Sequence, residues 1–474
     1  MKKIIFTLLM TTLLYVSCSD NFKDSVDFTE IVNPTLSETS DLGQPNSATI
    51  WAAGIEREIS RTFNEILILA EAGSDNYTNT QTFFTQFLDN LDIRITDPDI
   101  RDTQNEIARV SKMALFGLEE AGPRDPNYTT ELEAEFNFYL GMSRLFAGMY
   151  FSALPQETLG TPVSWSENLL SAISSFNNAI ELSSKPEYHL AKARAYYYLG
   201  NKVEAVTAAN NALTLSNSFT RFASFDEKNN PDNALEDALY ERATFDDFQP
   251  LPTLDFLDPK YSFISPDLDS PLHYLKAEEA YLILVESNLA DSNITSAQTN
   301  LNELLNLIAT REVRNIDDRA EGRSQVDPGG RPDKATVIVN GRTGLVLNRQ
   351  TGNVDIPSVS GTSLTSSDIA AMTIGDAALE LLYRTRQEVF IGEGLRLVDM
   401  GVKLVINENE IFQNVNVSEG DFGTEPVIPS FIASIVNDLD TISYDAVTEI
   451  ATTVINLNQV LVANKASDEV LPFH

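Results

Sequence analysis

Four charged residues in the last quarter of the chain have types and spacing that could support chemistry: Arg386, Glu393, Arg396 and Asp399. Two carboxylates that flank a glycosidic bond are the usual machinery of glycoside hydrolysis. The same spacing also has a structural explanation. Arg396 lies three residues from both Glu393 and Asp399 and can form an ion pair along one helix. We therefore predict a partly buried ion network that fixes helix packing, and not a catalytic centre.

Other patterns typical of catalysis are missing from the sequence. It contains no nucleophile elbow, P-loop or spaced set of metal ligands, and three histidines are too few for a multi-histidine metal centre. We therefore predict that the protein is not an enzyme and needs no cofactor. The acidic stretches 97–102 and 327–333 offer carboxylates to a structural Ca²⁺. Solvated turns are the simpler interpretation of both stretches.

A second candidate site is a mixed polar and aromatic stretch. Asp75, Asn76 and Tyr77 follow a helix-breaking glycine, and Phe83 and Phe84 come soon after. Sugar rings stack on aromatic side chains, sugar hydroxyls need amide and carboxylate partners, and loops often carry function on helical scaffolds. We therefore predict that these five residues bind an oligosaccharide or a peptide. Burial is the alternative for the phenylalanines, because bulky aromatic side chains are usually in the core.

An internal repeat indicates the scaffold that positions these residues. Residues 170–183 match residues 203–216 at an offset of 33 positions. This offset is close to the roughly 34-residue tetratricopeptide period, in which helix hairpins stack because one hairpin cannot bury its own apolar face. The second segment carries a stripe of alanines at helical spacing, which lets another helix approach closely. Chance similarity between two alanine-rich helices is the alternative.

The helical periodicity predicts hairpins at about 131–183, 187–216 and 271–314, and a C-terminal helical part from residue 368. Residues 217–270 contain five prolines and should be irregular. Alternating residues around Asn340-Gly341 predict a small β-hairpin. We therefore predict a mostly α fold of tetratricopeptide-like hairpins in a single domain, 48–474, with irregular loops and a small β-hairpin as insertions.

The N-terminus has the pattern of a lipoprotein leader. Two lysines precede an apolar run over residues 4–16, which is shorter than the roughly 20 residues that span a bilayer. The run ends at Cys18, the only cysteine, in a sequence that resembles a bacterial lipobox. We predict that residues 1–17 are a signal peptide that is removed, that Cys18 is lipidated and that 18–47 is a flexible tether. Ordinary secretion with an incidental cysteine is the alternative.

The composition excludes two classes of ligand. The formal net charge is −36, and such a chain repels nucleic acid and anionic lipid surfaces. Hydrophobic residues make up 43% of the chain, which is enough for a sizeable core. We interpret the acidity as a device for solubility on a crowded cell surface.

The lipobox, the tether, the stacked hairpins and the irregular insertions together resemble the SusD/RagB-like outer-membrane lipoproteins of Bacteroidetes. The resemblance is carried by 133–155, by 272–284 with 297–311, and by 386–400. The last stretch is similar to the family's C-terminal signature, in which Glu-Gly is followed by Arg and then Asp.

The signature residues here are Glu393 with Gly394, Arg396 and Asp399. The sequence departs from the signature at two positions. Glu388 is one residue too far from Glu393, and Gly401 stands where a basic residue is usual. Either the helix is locally bulged or Glu388 is not the family position.

The resemblance implies a non-catalytic lipoprotein on the outer leaflet of the outer membrane, exposed at the cell surface. In this family the ligand face lies partly in the N-terminal region and partly in loops outside the repeats. The protein would bind an oligomeric nutrient, a glycan or a peptide, and act as the lid of a SusC-like TonB-dependent barrel transporter. The repeat face would dock on the barrel.

Two alternatives to this nutrient-binding function stay open. One is a structural subunit of another outer-membrane complex without nutrient binding, which the presence of only two tryptophans fits. The other is a surface enzyme that processes glycans.

The lipid anchor is testable at Cys18. Cells that produce the protein are labelled with radioactive palmitate, and the label on the purified protein is measured. We expect the wild-type protein to be labelled and the Cys18→Ala variant to be unlabelled, because the lipobox cysteine is the attachment point. Continued labelling of the variant would exclude Cys18 as that point.

Overall fold

The structure, a computed structural model, describes residues 42–79, 84–229, 231–241, 248–260, 269–317, 337–339, 346–347, 353–445, 447–448 and 450–474. Cys18, the predicted signal peptide and most of the predicted tether lie outside these residues. The α-helices of more than one turn are α1 (Ser47–Ala72), α2 (Pro98–Phe116), α3 (Thr130–Tyr150), α4 (Trp165–Leu182), α5 (Pro186–Tyr198), α6 (Lys202–Leu215), α7 (Ala277–Ala290), α8 (Ile294–Ile308), α9 (Ser366–Ala371), α10 (Asp376–Val389), α11 (Leu395–Asp399), α12 (Glu408–Gln413) and α13 (Leu457–Ala463).

Shorter or non-α helical turns connect these helices. Single α-turns lie at Gly122–Arg124, Ala234–Glu236 and Ser430–Ala433. The 3₁₀ segments are Phe84–Asn90, Asp255–Lys260 and Val436–Asp438, and the π segments are Gly117–Ala121 and Asp237–Glu241. In the described part of the chain, no helix is long and apolar enough to cross a bilayer.

The strands are short and form small sheets between the helices. Four antiparallel pairs are β1 (Tyr77–Asn79) with β5 (Phe248–Pro250), β2 (Ala153–Pro155) with β3 (Pro162–Ser164), β4 (Thr220–Ala223) with β6 (Leu272–Lys276), and β7 (Val313–Asp317) with β10 (Asn353–Pro357). A four-stranded sheet has the order β11 (Ile442–Asp445), β12 (Ile450–Thr453), β8 (Val337–Val339) and β9 (Val346–Leu347). The prediction of a mostly α fold is confirmed.

Each predicted hairpin is a pair of packed helices. α3 packs on α4, α5 on α6, and α7 on α8, and the pairs follow one another because α4 contacts α5 and α6 contacts α7. On α6 the buried residues are the four predicted alanines, Ala205, Ala208, Ala209 and Ala212. These small side chains leave room for the large side chains of the neighbouring helices, so the repeat packs as its sequence predicts.

Two segments that the sequence predicts as helical are strands. Leu272–Lys276, expected to begin the third hairpin, is β6, and all five of its residues are buried. A buried helix start would leave backbone N–H groups unsatisfied, whereas pairing with β4 satisfies them. Ile450–Thr453, expected to be helical, is β12 and joins β11 and β8. β8 lies more than 100 residues before β12, so local periodicity does not reveal that pairing.

The predicted small β-hairpin is present as β8 and β9, whose antiparallel register joins Val337 to Leu347 and Ile338 to Val346. Its turn at Asn340-Gly341 lies outside the described residues. The hairpin does not stand alone, because β8 also pairs in parallel with β12.

The C-terminal helical part is interrupted where the family signature departs. α10 ends at Val389, and the chain turns before α11 begins at Leu395. The helix is therefore not bulged but ended. Gly401 has φ +77°, and a Cβ there would lie 2.7 Å from the Glu469 carbonyl oxygen. A basic side chain does not fit that position, which explains the glycine.

The alanine stripe can be tested by overpacking it. Ala209 is fully buried, whereas Asn211 on the same helix is exposed. We expect Ala209→Leu to lower the free energy of unfolding by about 1–3 kcal/mol, because the added side chain forces the helices apart. Urea unfolding measures this change. The matched control Asn211→Leu should stay within about 0.5 kcal/mol of the wild type; equal effects at the two positions would contradict close packing at Ala209.

Candidate functional site

A buried ion pair joins the C-terminal helices to the end of α1. Arg396 on α11 donates from Nε to Asp75 Oδ1 at 2.5 Å and from Nη2 to Asp75 Oδ2 at 2.9 Å. Its remaining nitrogen, Nη1, donates to Asn458 Oδ1 at 2.9 Å. The guanidinium therefore joins α11 to two other segments of the chain. This bidentate geometry is the strong form of the interaction between arginine and carboxylate.

A second buried pair links α10 and α11. Arg386 donates from Nε to Asp399 Oδ2 at 2.6 Å and from Nη2 to Asp399 Oδ1 at 3.1 Å. Tyr198 at the end of α5 donates to the same Asp399 Oδ1 at 3.1 Å. Because the Asp399 carboxylate lies beside it, the pKa of Arg386 is held well above its usual range despite complete burial. This pair attaches the repeats to the C-terminal helices.

Two lysines share the third carboxylate. Lys260 Nζ and Lys276 Nζ each lie 2.6 Å from Glu393 Oε1. Lys276 also donates to the Val389 carbonyl oxygen at 2.8 Å, and Lys260 donates to the Ile391 carbonyl oxygen at 3.2 Å. The ammonium groups thus bind carbonyl oxygens at the end of α10 and just after it. Burial lowers the pKa of Lys276 to about 8.

A fourth acidic group, Glu71 on α1, holds the turn between α10 and α11. Gly394 N donates to Glu71 Oε1 at 2.9 Å, and Asn76 Nδ2 donates to Glu71 Oε2 at 2.8 Å. Tyr150 on α3 donates to the Gly394 carbonyl oxygen at 3.1 Å. Burial raises the pKa of Glu71 to about 7. Gly394 has φ +75° and close neighbours on α1 and α3, so a side chain there would be strained.

A polar cleft of about 200 Å³ lies next to this network. Its walls come from α10, the end of β12, the start of α13 and the loop after β5; they include Asp75, Glu380, Arg384, Gln387, Thr453 and Asn456. Asn456 Nδ2 donates to Glu380 Oε1 at 2.8 Å, and Asn458 Nδ2 donates to Gln387 Oε1 at 3.0 Å. The cleft is therefore lined by ordered amide and carboxylate groups.

Two polar atoms of the cleft lack partners within the described residues. Arg384 Nε and Thr453 Oγ1 are both inaccessible to solvent and make no hydrogen bond there. Buried polar groups are nearly always hydrogen-bonded, so these two atoms are exceptions among the described residues. The Arg384 guanidinium donates hydrogen bonds and the Thr453 hydroxyl both donates and accepts them, so the two side chains offer partners for a hydroxyl group.

Comparison with solved structures identifies the architecture. A SusD superfamily protein from Bacteroides fragilis aligns with a TM-score of 0.53 and 15% identity over 80% of this chain and 100% of that chain. A putative sugar binding protein from Bacteroides vulgatus gives a TM-score of 0.53 at 12% identity, over 81% and 98% of the two chains. A SusD-like carbohydrate binding protein from Bacteroides vulgatus gives 0.50 at 13% identity, over 74% and 82%.

This chain has the SusD-like fold. The resemblance predicted from the sequence is confirmed at the level of fold. No protein-family model matches the sequence. No curated protein matches it either.

Within the SusD-like fold, the predicted ligand residues after α1 are in the interior. Asp75, Asn76 and Tyr77 are 4%, 0% and 1% exposed. Asp75 is paired with Arg396, Asn76 binds Glu71, and Tyr77 stacks on Phe248 with ring centroids 5.8 Å apart. The prediction of an exposed platform is therefore wrong for these three residues, because a strand pair and buried charges take up their side chains. Asp75 alone also borders the cleft.

The predicted aromatic ligand residues have a different outcome. Phe83 lies outside the described residues. Phe84 is the first residue of the 3₁₀ segment Phe84–Asn90. The structure describes its backbone and not its side chain. Their role in ligand binding stays a prediction.

The four predicted network residues are all buried, but two predicted partners are wrong. Arg396 does not pair with Glu393 or Asp399; it pairs with Asp75, which is 321 residues away in sequence. Glu393 pairs with lysines from the segment before α7. Glu393 lies in the turn before α11, so helical spacing does not apply between it and Arg396. Asp399 is on α11 with Arg396 but accepts from Arg386 instead.

The cleft residues Arg384, Thr453 and Asn456 were missed by the sequence reasoning. The only local signal is at Asn456, whose side chain accepts from Gln459 N as the N-cap of α13. That signal marks a helix start and not a ligand site.

The predicted acidic stretches differ in outcome. At 97–102, Asp97 caps α2 by accepting from Asp99 N at 2.9 Å, and Asp102 pairs with Arg101. The stretch 327–333 lies outside the described residues. Among the residues that the structure describes, no group of three or more His, Cys, Asp or Glu could hold a metal ion.

The Arg396–Asp75 pair can be tested by removing one charge or both. We expect Arg396→Met to lower the free energy of unfolding by about 3–5 kcal/mol, because it leaves the Asp75 carboxylate buried without its partner. Adding Asp75→Asn should recover part of this loss, and urea unfolding of both variants measures it. The control Lys465→Met breaks an exposed pair with Asp376 and should cost no more than about 1 kcal/mol. A double variant as unstable as the sum of the single variants would contradict the coupling.

Proposed function

We propose that the protein is a non-catalytic binding protein for an oligosaccharide, held at the cell surface by a lipid on Cys18. The observation that carries the proposal is the cleft beside the buried network, which the polar side chains of Glu380, Arg384, Thr453 and Asn456 line. Its place in a SusD-like fold, outside the repeats, supports the same function.

The groups in the cleft favour a sugar over a peptide. Arg384, Glu380, Asn456 and Thr453 offer donors and acceptors at short range, as a ring of hydroxyl groups requires. Leu251, Ile455 and Leu457 are apolar, and the other described residues of the lining are polar or charged. Two solved neighbours, described as sugar binding and carbohydrate binding, support this choice.

The size of the cleft limits what it holds. Its volume of about 200 Å³ is below the 300–1,000 Å³ of typical ligand pockets. We infer that one sugar unit enters the cleft while the rest of the chain lies along the surface. Because none of the described residues that line the cleft is aromatic, hydrogen bonds and not ring stacking provide the specificity.

A catalytic role is not supported by the two carboxylates that suggest it. Glu393 and Asp399 are 4% and 7% exposed, and each is bound to cationic side chains. A glycosidic bond cannot reach them, and a charged partner prevents either from acting as a free acid or nucleophile. The glycan-processing alternative is therefore the weakest of the three functions.

The proposed partner is a SusC-like TonB-dependent barrel in the outer membrane, on which the protein acts as a lid. The SusD-like fold and the lipobox around Cys18 support this assignment. The second candidate is a structural subunit of another outer-membrane complex. The small cleft without aromatic walls favours that alternative, because large glycan platforms depend on stacked rings.

The function is tested by a glycan array, followed by calorimetry with the best-bound oligosaccharide. We expect Arg384→Met and Thr453→Val each to weaken binding by about 10- to 100-fold, because each removes a hydrogen bond to the ligand. The matched control Arg124→Met removes an exposed arginine elsewhere and should bind as the wild type does. Binding unchanged in both cleft variants would place the ligand elsewhere. The absence of any bound glycan would favour the structural subunit.

A further inference from the structure

Arg384 on α10 differs from the other arginines that the structure describes. Its side chain forms no ion pair and no hydrogen bond with any described residue, and its Nε is inaccessible to solvent. Two further described arginines lack a paired carboxylate, but each has another partner: Arg57 donates to the Asn229 carbonyl oxygen, and Arg144 donates to Ser175 Oγ. Arg384 is therefore the one described arginine whose guanidinium has neither kind of partner.

The nearest carboxylate in sequence does not neutralise Arg384, because it is bound elsewhere. Glu380 lies one helical turn before Arg384 on α10, at the spacing that lets glutamate and arginine pair on a helix. Its Oε1 instead accepts from Asn456 Nδ2 at 2.8 Å, and its Oε2 accepts from Gln459 Nε2 at 3.3 Å. The two amides at the start of α13 thus take up both oxygens of Glu380, and no ion pair with Arg384 forms.

Two other carboxylates in this region are engaged in the same way. Asp75, which also lines the cleft, accepts from Arg396 through both of its oxygens. Hydrogen bonds from Thr365 are the main cause of the lowered pKa of Asp368, to which the charge of Arg384 adds. The cleft therefore contains a positive charge that the described part of the fold does not pair.

We infer that the cleft selects an acidic sugar unit, whose carboxylate or sulfate group pairs with the Arg384 guanidinium. The inference rests on the proposed function and names the class of oligosaccharide that this site takes. A guanidinium presents parallel N–H groups that match the oxygens of an oxyanion, and such charge-assisted hydrogen bonds are about twice as strong as neutral ones. The Thr453 hydroxyl in the same cleft offers a partner for a hydroxyl group of the same unit.

The acidity of the whole chain restricts where such an oligosaccharide carries its charge. The net charge of −36 repels a polyanion that lies along the surface. At physiological salt this repulsion is screened over about 8 Å, so it acts weakly on one acidic group that meets a guanidinium at contact distance. We therefore expect an acidic unit at an end or a branch of the oligosaccharide, with neutral units along the protein surface.

Matched pairs of oligosaccharides test the inference. One pair is a xylo-oligosaccharide with and without a glucuronic acid branch, and the other is N-acetyllactosamine with and without a sulfate group. Both pairs are placed on a glycan array beside other neutral and acidic glycans, and calorimetry measures the dissociation constants. We expect an acidic member to bind about 10- to 100-fold more tightly than its neutral counterpart. This advantage should shrink as salt rises, because salt screens the charges.

The outcomes on the array separate two failures. If neutral glycans bind and no acidic glycan binds more tightly than its neutral counterpart, the inference is overturned and the proposed function stands. If no glycan of either kind binds, the proposed function fails and the inference fails with it.

Substitutions at Arg384 assign the selectivity to this side chain. Arg384→Met should abolish the advantage of the acidic member, and Arg384→Lys should keep part of it, because lysine retains the charge without the planar fork. The control Arg124→Met removes an arginine that pairs with Glu120 on the surface, and it should keep the full advantage. An advantage that survives in Arg384→Met would overturn the inference. Urea unfolding of every variant establishes that it is folded.

The arrangement around Glu380 has a test of its own. Asn456→Ser keeps a residue that caps α13 but removes the amide that binds Glu380. We expect the freed carboxylate to compete for Arg384, so the advantage of the acidic member should fall at least about three-fold. Adding Glu380→Gln should restore it, because no carboxylate is left to compete. A loss that the second substitution does not restore would contradict this competition.

Discussion

The structure depends on the ion pairs that it buries between α1, the repeats and the C-terminal helices. A charge without a partner in the interior costs several kcal/mol, so the chain has few ways to place these side chains. Arg396 must meet Asp75, which lies 321 residues away, and this contact fixes α11 against the end of α1. The Arg386–Asp399 pair joins α10 to α11, and the bond from Tyr198 to Asp399 fixes both helices against α5. The network thus holds the C-terminal part on the repeats.

The same requirement explains the glycines around α11. Gly394 brings its N–H to Glu71 and its carbonyl oxygen to Tyr150, and only a residue without a side chain allows both approaches at φ +75°. The turn that results ends α10, and Lys276 donates a hydrogen bond to the Val389 carbonyl oxygen at this helix end. Backbone conformation and charge pairing therefore depend on one another at this point.

Among the described residues, the interior holds side chains of both charges, with more acidic than basic ones. Arg194, Arg386, Arg396, Lys276 and Lys403 are all buried, so they neutralise interior carboxylates or helix ends and not surface charge. The remaining surface carries a large excess of carboxylates. Against this acidic background, the Arg384 guanidinium borders the cleft instead of lying in the buried network.

The sequence by itself determined what depends on local periodicity. The offset of 33 between residues 170–183 and 203–216 predicts stacked hairpins, and the alanine stripe of α6 predicts which side of that helix is buried. Only the tertiary structure decided where charges pair and which polar residues face a cleft. In the sequence, Asp75 is an ordinary loop residue; in the structure it is the partner of Arg396. Arg384 is an ordinary helix residue in the sequence, and the structure places it in a cleft with the end of β12. Such contacts join residues that are distant in sequence. Their energy depends on burial, which the local spacing of residues does not reveal.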